Sequence, residues 1–242
     1  MASRRDFLAA SAAAVAMTRW PASALAAPAA GHTLLFQGDS ITDAGRNRAR
    51  VGPNDVGGTG TGYPLLISAA LRERFAASNL QIYNRGVSGN TVPDLQARWQ
   101  TDTITLAPAI LSILIGVNDI WHTRAKTYSG TSASYEAAYR ALLAETRNAL
   151  PGVRIVVMEP FVTLVGSVDA SWFPEFDDYR AAAARVAKSA GATFVPLHEM
   201  LQGLARQTGP AYWAADGVHP TLAGHQAIAK QWMKVVGTRP FE

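Results

Sequence analysis

The chain is 242 residues long, 48% hydrophobic and 17% charged, enough for one domain with a substantial core and not the composition of a disordered chain. Its formal net charge is +4, half of it from Arg4, Arg5 and Arg19 set against Asp6, so there is no electrostatic case for a nucleic-acid partner. There are no cysteines, which excludes disulfides, a thiolate nucleophile and any Cys-ligated metal.

The N-terminus reads as an export signal. "SRRDFLAA" at residues 3–10 is followed by the Ala-rich "SAAAVAM" and then by small residues in "PASALAAPAAG". The paired Arg4-Arg5 ahead of Phe7-Leu8 is similar to a twin-arginine signal, and the expected destination is the periplasm or the medium. The apolar run stops at Arg19, too short for a bilayer of about 30 Å, so no membrane insertion is expected once the signal is removed. Residues 1–28 are therefore set apart as signal and linker, and 29–242 as the folded domain; His32 falls in the linker.

In chain order, "TLLFQG" (33–38) predicts a first strand, followed by a long Gly-, Asn- and Arg-rich connection over 41–61. Leu65, Leu66, Ala69, Ala70 and Phe75 give a helical period over 62–77, and "LQIYNRG" (80–86) predicts a second strand. Thr91 reads as an N-cap, with Pro93 and Asp94 in the first turn of a helix to about Gln100. "ILSILIG" (110–116) predicts a third strand, and 133–150 a helix stopped by Pro151-Gly152. "RIVVME" (154–159) predicts a fourth strand, after which 160–175 is aromatic and irregular. A helix over 176–190, a strand "ATFVPL" (192–197) and a helix from Thr221 to Val236 complete the pattern. Most of these strands are continuously apolar, as in a parallel sheet covered on both faces. The expected fold is α/β: a three-layer, doubly wound, flavodoxin-like sheet of five parallel strands.

Four fragments stand at strand ends or before the last helix: "GDS" at 38–40, "NRGVSGN" at 84–90, "GVND" at 116–119 and "DGVHP" at 216–220. The first three would gather along the C-terminal edge of a parallel sheet, where open α/β sheets bind ligands. Asp216 and His219 are three residues apart, a spacing that can set a carboxylate beside an imidazole. The G-x-S-x-G elbow of α/β-hydrolases is absent. Taken alone, Ser40 and Asp119 could be local caps, Asn118 a turn residue and Asp39 a brace for its turn, while Ser88 is a rival nucleophile.

All four fragments, in this order, resemble the signature blocks of the SGNH or GDSL hydrolases. The resemblance implies that Ser40 is the nucleophile, that His219 is its base and that Asp216 orients the imidazole. It implies an oxyanion hole from the N–H groups of Ser40 and Gly86 and the side chain of Asn118. Those roles agree with the chemistry: a serine hydroxyl is a poor nucleophile until a base takes its proton, and an oxyanion needs preplaced donors. Longer stretches, "LLFQGDSITDAGR", "GTGYP", "NRGVSGNTVPDLQARW", "IGVNDIW" and "DGVHPTLAGH", are similar to the acetylxylan esterase branch, whose members remove acetyl groups from xylan and xylo-oligosaccharides. "YWAADGVHP" departs from that branch on the leaving-group side.

Trp121, His122 and Trp213 are candidate substrate contacts, with Trp172 in a loop nearby, since an indole face packs on sugar C–H groups. His198 reads as a loop residue, while His225 and Trp232 read as packed in the last helix. No HExxH or spaced His/Asp set argues for a metal, and no cofactor is expected. The expected partner is a small-molecule or oligosaccharide ester, with homo-oligomerisation left open. Two rival readings are a broad short-chain carboxylesterase or lysophospholipase/thioesterase-like enzyme, and a sugar- or lipid-binding module with a dead site.

Overall fold

The computed structural model describes residues 33–237, so the export segment expected over 1–28 and the linker residue His32 lie outside the described residues. Five strands form one all-parallel sheet in the order β2-β1-β3-β4-β5: β1 Thr33–Gly38, β2 Gln81–Asn84, β3 Ile110–Leu114, β4 Arg154–Met158 and β5 Thr193–Val195. The central strands are apolar without a break because both faces are covered. Consecutive side chains point to opposite faces, and Leu34, Leu35 and Phe36 are all 0% exposed.

The helices among the described residues are α1 Ser40–Asp43, α2 Val56–Thr59, α3 Tyr63–Arg74, α4 Val92–Trp99, α5 Val117–Arg124, α6 Ser132–Ala149, α7 Glu175–Ser189, α8 His198–Thr208 and α9 Leu222–Val236. The chain steps from β1 outward to β2 and then back past β1 to β3. Right-handed crossovers therefore put α3 and α4 on opposite faces. On one face Phe36 meets Tyr63 of α3 and Trp232 of α9, at ring-centroid distances of 5.7 and 6.0 Å. The Trp232 indole N–H donates to Ser112 Oγ of β3 at 3.0 Å, so the buried hydroxyl is satisfied. On the other face α4 is tied to α6 by Trp99 Nε1–H donating to Thr146 Oγ1 at 2.9 Å, and α6 packs on α7. The reversal of strand order falls between β1 and β3, the switch point where ligands of such sheets bind.

The two long connections are ordered, and one expectation is corrected, that for His198. The connection over 41–61 is built: it carries α1 and α2, and Asp55 caps α2 by accepting Gly58 N–H at 2.8 Å. The 160–175 segment is packed, with Phe161 and Val162 at 0% exposure and Trp172 at 3%. His198 is a buried residue that opens α8, not a solvated loop residue. Its helix is capped from a distance, because Glu159 Oε2 accepts the N–H groups of Leu197 and His198 at 2.8 and 2.9 Å. Arg180 in turn holds Glu159 at 2.9 Å.

Candidate active site

Ser40 is the first residue of α1, two positions past the end of β1, and its side chain is half-buried. Its Oγ lies 2.8 Å from His219 Nε2. The other ring nitrogen, Nδ1, lies 2.6 Å from Asp216 Oδ2. Asp216 Oδ1 accepts the N–H groups of Val218 and His219 at 3.0 and 2.7 Å, so one carboxylate binds both the backbone and the ring of the same turn. Burial pushes the Asp216 carboxyl up, but the hydrogen bonds from the His219 ring and from the two backbone N–H groups outweigh it and hold it below the usual range. The turn is clamped from outside: Thr163 N–H donates to Gly217 O and Ser167 N–H to Asp216 O, at 2.8 and 2.9 Å. The packed 160–175 segment thereby holds the carboxylate–imidazole pair in register with Ser40.

Asn118 is the second residue of α5, at the C-terminal end of β3, and is 6% exposed. Its Nδ2 donates one hydrogen to Asn90 O at 3.1 Å, which fixes the plane of the amide and leaves the second hydrogen for another acceptor. The Ser40 N–H donates to no protein atom among the described residues.

Gly86 does not fit the donor role expected of it. Its N–H is taken by Asn84 Oδ1 at 2.8 Å and its carbonyl by Arg46 Nε–H at 2.7 Å. What requires glycine there is close approach: a Cβ would come within 2.4 Å of Asp43 N. Gly86→Ala should accordingly cost about 1–3 kcal/mol in chemical denaturation; unchanged stability would contradict this packing role. The glycine with a free N–H is Gly89, three residues on. Val87 to Asn90 form a turn closed by Asn90 N–H donating to Val87 O at 3.2 Å, and Gly89 sits in its third position with φ of 85°. That is the glycine position of a type II turn. Gly89 N–H donates to no protein atom among the described residues, and space above its Cα is open. The turn is pinned to the site by Val87 N–H on Gly38 O at 3.0 Å and by the Asn118 amide on Asn90 O. Ser88, the rival nucleophile, spends both its N–H and its hydroxyl on Asp43 Oδ2, at 3.0 and 3.1 Å.

Of the candidate substrate contacts, Trp121 stands beside the reacting groups: its ring lies 6.2 Å from the His219 ring and 5.9 Å from Trp172. Arg124 stacks over Trp172 at 5.5 Å, so this wall is braced from behind. His122, half-buried in the same helix, accepts Thr127 and Tyr128 N–H groups with its backbone carbonyl. The Trp213 indole N–H donates to Thr208 Oγ1 at 2.7 Å, and the residue lines a groove of about 410 Å³ between α8 and α9. None of Ser40, Asn118, Asp216 or His219 lines that groove. His225 packs as expected: burial, then the charge of His219, push it down to about 4, and its Nδ1 accepts Tyr63 N–H at 3.2 Å.

Residues 36–227 match the model of the GDSL-like lipase/acylhydrolase family. The chain belongs to this family. An acetylxylan esterase of Geobacillus stearothermophilus is 34% identical over 211 residues, covering 86% of this chain and 94% of its own length. Among solved structures, a GDSL-like lipase from Parabacteroides merdae has a TM-score of 0.85 at 41% identity, covering 87% of this chain and 98% of that one. The Geobacillus acetylxylan esterase has a TM-score of 0.76 at 33% identity, covering 88% and 98%. Two further structures of that enzyme carry alanine in place of a histidine and of a serine and are described as catalytic mutants. This chain is thus a carboxylic ester hydrolase, and the hydroxyl–imidazole–carboxylate series of Ser40, His219 and Asp216 is the arrangement that acyl transfer requires.

Proposed function

We propose that this esterase removes acetyl groups from xylan and xylo-oligosaccharides through an acyl-serine formed on Ser40. The observation that carries the mechanism is the unbroken series Ser40 Oγ, His219 and Asp216, with contacts of 2.8 and 2.6 Å. Ser40 Oγ attacks the ester carbonyl carbon while His219 Nε2 takes its proton. Asp216 holds the ring in the tautomer with Nδ1 protonated and stabilises the imidazolium. The carbonyl oxygen, now negative, is held by the N–H groups of Ser40 and Gly89 and by the free amide hydrogen of Asn118. Collapse breaks the bond to the sugar oxygen, which leaves with the proton from His219. A water then attacks the acyl-serine with His219 taking its proton; the bond to Ser40 Oγ breaks, His219 returns that proton to the serine oxygen, and acetate departs.

The substrate class rests on the 34% identity to an acetylxylan esterase over most of both chains, and on Trp121 beside His219 as an apolar face for a sugar ring. Export by the twin-arginine route is supported by Arg4-Arg5 ahead of the Ala-rich stretch, and it brings the enzyme to a polysaccharide outside the cell. Acetate release from acetylated xylo-oligosaccharides, other acetylated sugars and a series of p-nitrophenyl esters tests the reading. The highest kcat/KM should fall on the acetylated xylo-oligosaccharides, with activity falling as the acyl chain lengthens. Equal or faster hydrolysis of long-chain esters would favour the lipolytic reading instead.

A further inference from the structure

Arg98, in the last turn of α4, reaches the C-terminal edge of the sheet with a side chain only 18% exposed. Its Nε–H donates to Asn90 Oδ1 at 2.8 Å and its Nη2 to Gly38 O at 3.3 Å. Its Nη1 is shared among Arg85 O, Gln37 Oε1 and Asp102 Oδ2, at 2.8, 2.9 and 2.9 Å. One guanidinium therefore joins the end of β1, just before Ser40, to the end of β2 and to the turn that carries Gly89. Gln37 is fixed in its place, its amide donating to Thr103 Oγ1 at 2.8 Å and to Asp102 O at 3.2 Å. Asp43, buried at the end of α1, holds the other side of the same turn. Its Oδ2 accepts Ser88 N–H and hydroxyl at 3.0 and 3.1 Å, together with Arg48 Nε–H at 3.1 Å. Burial pushes the Asp43 carboxyl up, but the hydrogen bonds from Arg48 and Ser88 outweigh it, so the acceptor is charged at neutral pH.

We infer that Arg98 and Asp43 are positioning residues for the oxyanion hole, gripping from opposite sides the turn that presents Gly89 N–H. This rests on the reading of Gly89 and Asn118 as oxyanion donors. The residue before Gly89 is held by the Asp43 carboxylate and the residue after it by the Arg98 guanidinium. Asn90 joins the two donors, because its carbonyl takes the Asn118 amide at 3.1 Å while its side chain takes Arg98. A loosened Asn90 therefore displaces both donors at once. A donor is useful only if it is in place before the charge develops, and a shift of about 1 Å can cost about 10²-fold in rate. The planar guanidinium is needed for its shape, since a lysine ammonium is a point charge that cannot span Asn90, Arg85 O and Gly38 O together.

The test is the split between kcat and KM on p-nitrophenyl acetate. Arg98→Met and Asp43→Ala should each lower kcat about 10–10²-fold with KM within about threefold, and Arg98→Lys should stay within about threefold of Arg98→Met. A short alkylboronic acid, which forms a tetrahedral anion on Ser40, should lose affinity by the same factor as kcat/KM. A merely structural role would lower the melting temperature alone. Parental kcat and boronate affinity in a folded variant, or a raised KM with parental kcat, overturn the inference. Should the Arg98 and Asp43 variants not fold, Asn90→Ala releases the Arg98 grip at its far end and leaves the contacts to Gln37, Gly38 and Arg85; the same fall in kcat is expected, and parental kcat contradicts the clamp. NMR of the Gly89 amide and the Asn118 side-chain amide reads the clamp without chemistry: both should shift or broaden in Arg98→Lys, and unmoved resonances overturn it. A wild-type protein that forms no boronate adduct would count against the hydrolytic reading instead, and those resonances still decide the clamp.

Discussion

Ser40→Ala should lower kcat/KM for p-nitrophenyl acetate by at least about 10³-fold while the melting temperature stays within a few degrees of the parent. The asymmetry follows from the position of the residue. Its hydroxyl is half-buried at the mouth of the sheet and bonds an exposed imidazole, so losing that bond costs roughly 1 kcal/mol of stability. The backbone is unaffected, because α1 is capped by Asp39 Oδ1, which accepts Ile41 N–H, and not by Ser40. Chemically the loss is complete: no acyl-enzyme forms, and what remains is the polarisation of a bound ester by the oxyanion donors. Ser88 is no substitute, since its hydroxyl is committed to Asp43. Near-parental turnover in a folded Ser40→Ala protein would refute the assignment.

Asn118→Ala is expected to lower kcat about 10²–10³-fold with little change in KM. A donor that meets the oxygen only when it becomes negative stabilises the transition state and not the bound ester, so its loss appears in kcat. The substitution also releases Asn90 O, and with it one restraint on the turn that carries Gly89. Asn118→Asp keeps the shape but turns a donor into an acceptor facing the developing charge, and should be at least as damaging. Steady-state kinetics on a short acetyl ester checks both variants. A raised KM with unchanged kcat would assign Asn118 to substrate binding instead.

The sheet could be read from the sequence because its physics is local. β1, β3 and β4 are covered on both faces, and their apolar runs say so residue by residue. The cap of α4 was equally visible, Thr91 and Asp94 forming a reciprocal capping box. Ser40, Asp216 and His219 could be proposed together only through the order of four short blocks, since 179 residues separate the hydroxyl from the imidazole. What escaped depends on partners distant in sequence. α8 starts where Glu159, 39 residues before His198, caps it, so nothing local marked His198 as buried. "GVSGN" contains two glycines, and choosing the donor between them depended on Asn84 capturing the Gly86 N–H. One local signal was available: Gly89 stands at the third position of a four-residue turn, where positive φ favours glycine. Trp213 likewise reads as a site residue by its place near His219, yet its indole bonds Thr208 on α8.

The most direct measurement is the mass of the intact protein and of its peptides after treatment with a fluorophosphonate, which labels only a serine activated as a nucleophile. A single adduct on the peptide bearing Ser40, absent in His219→Ala, is the result expected of a hydroxyl primed by that imidazole. An unlabelled wild-type protein, or an adduct on Ser88, would contradict it.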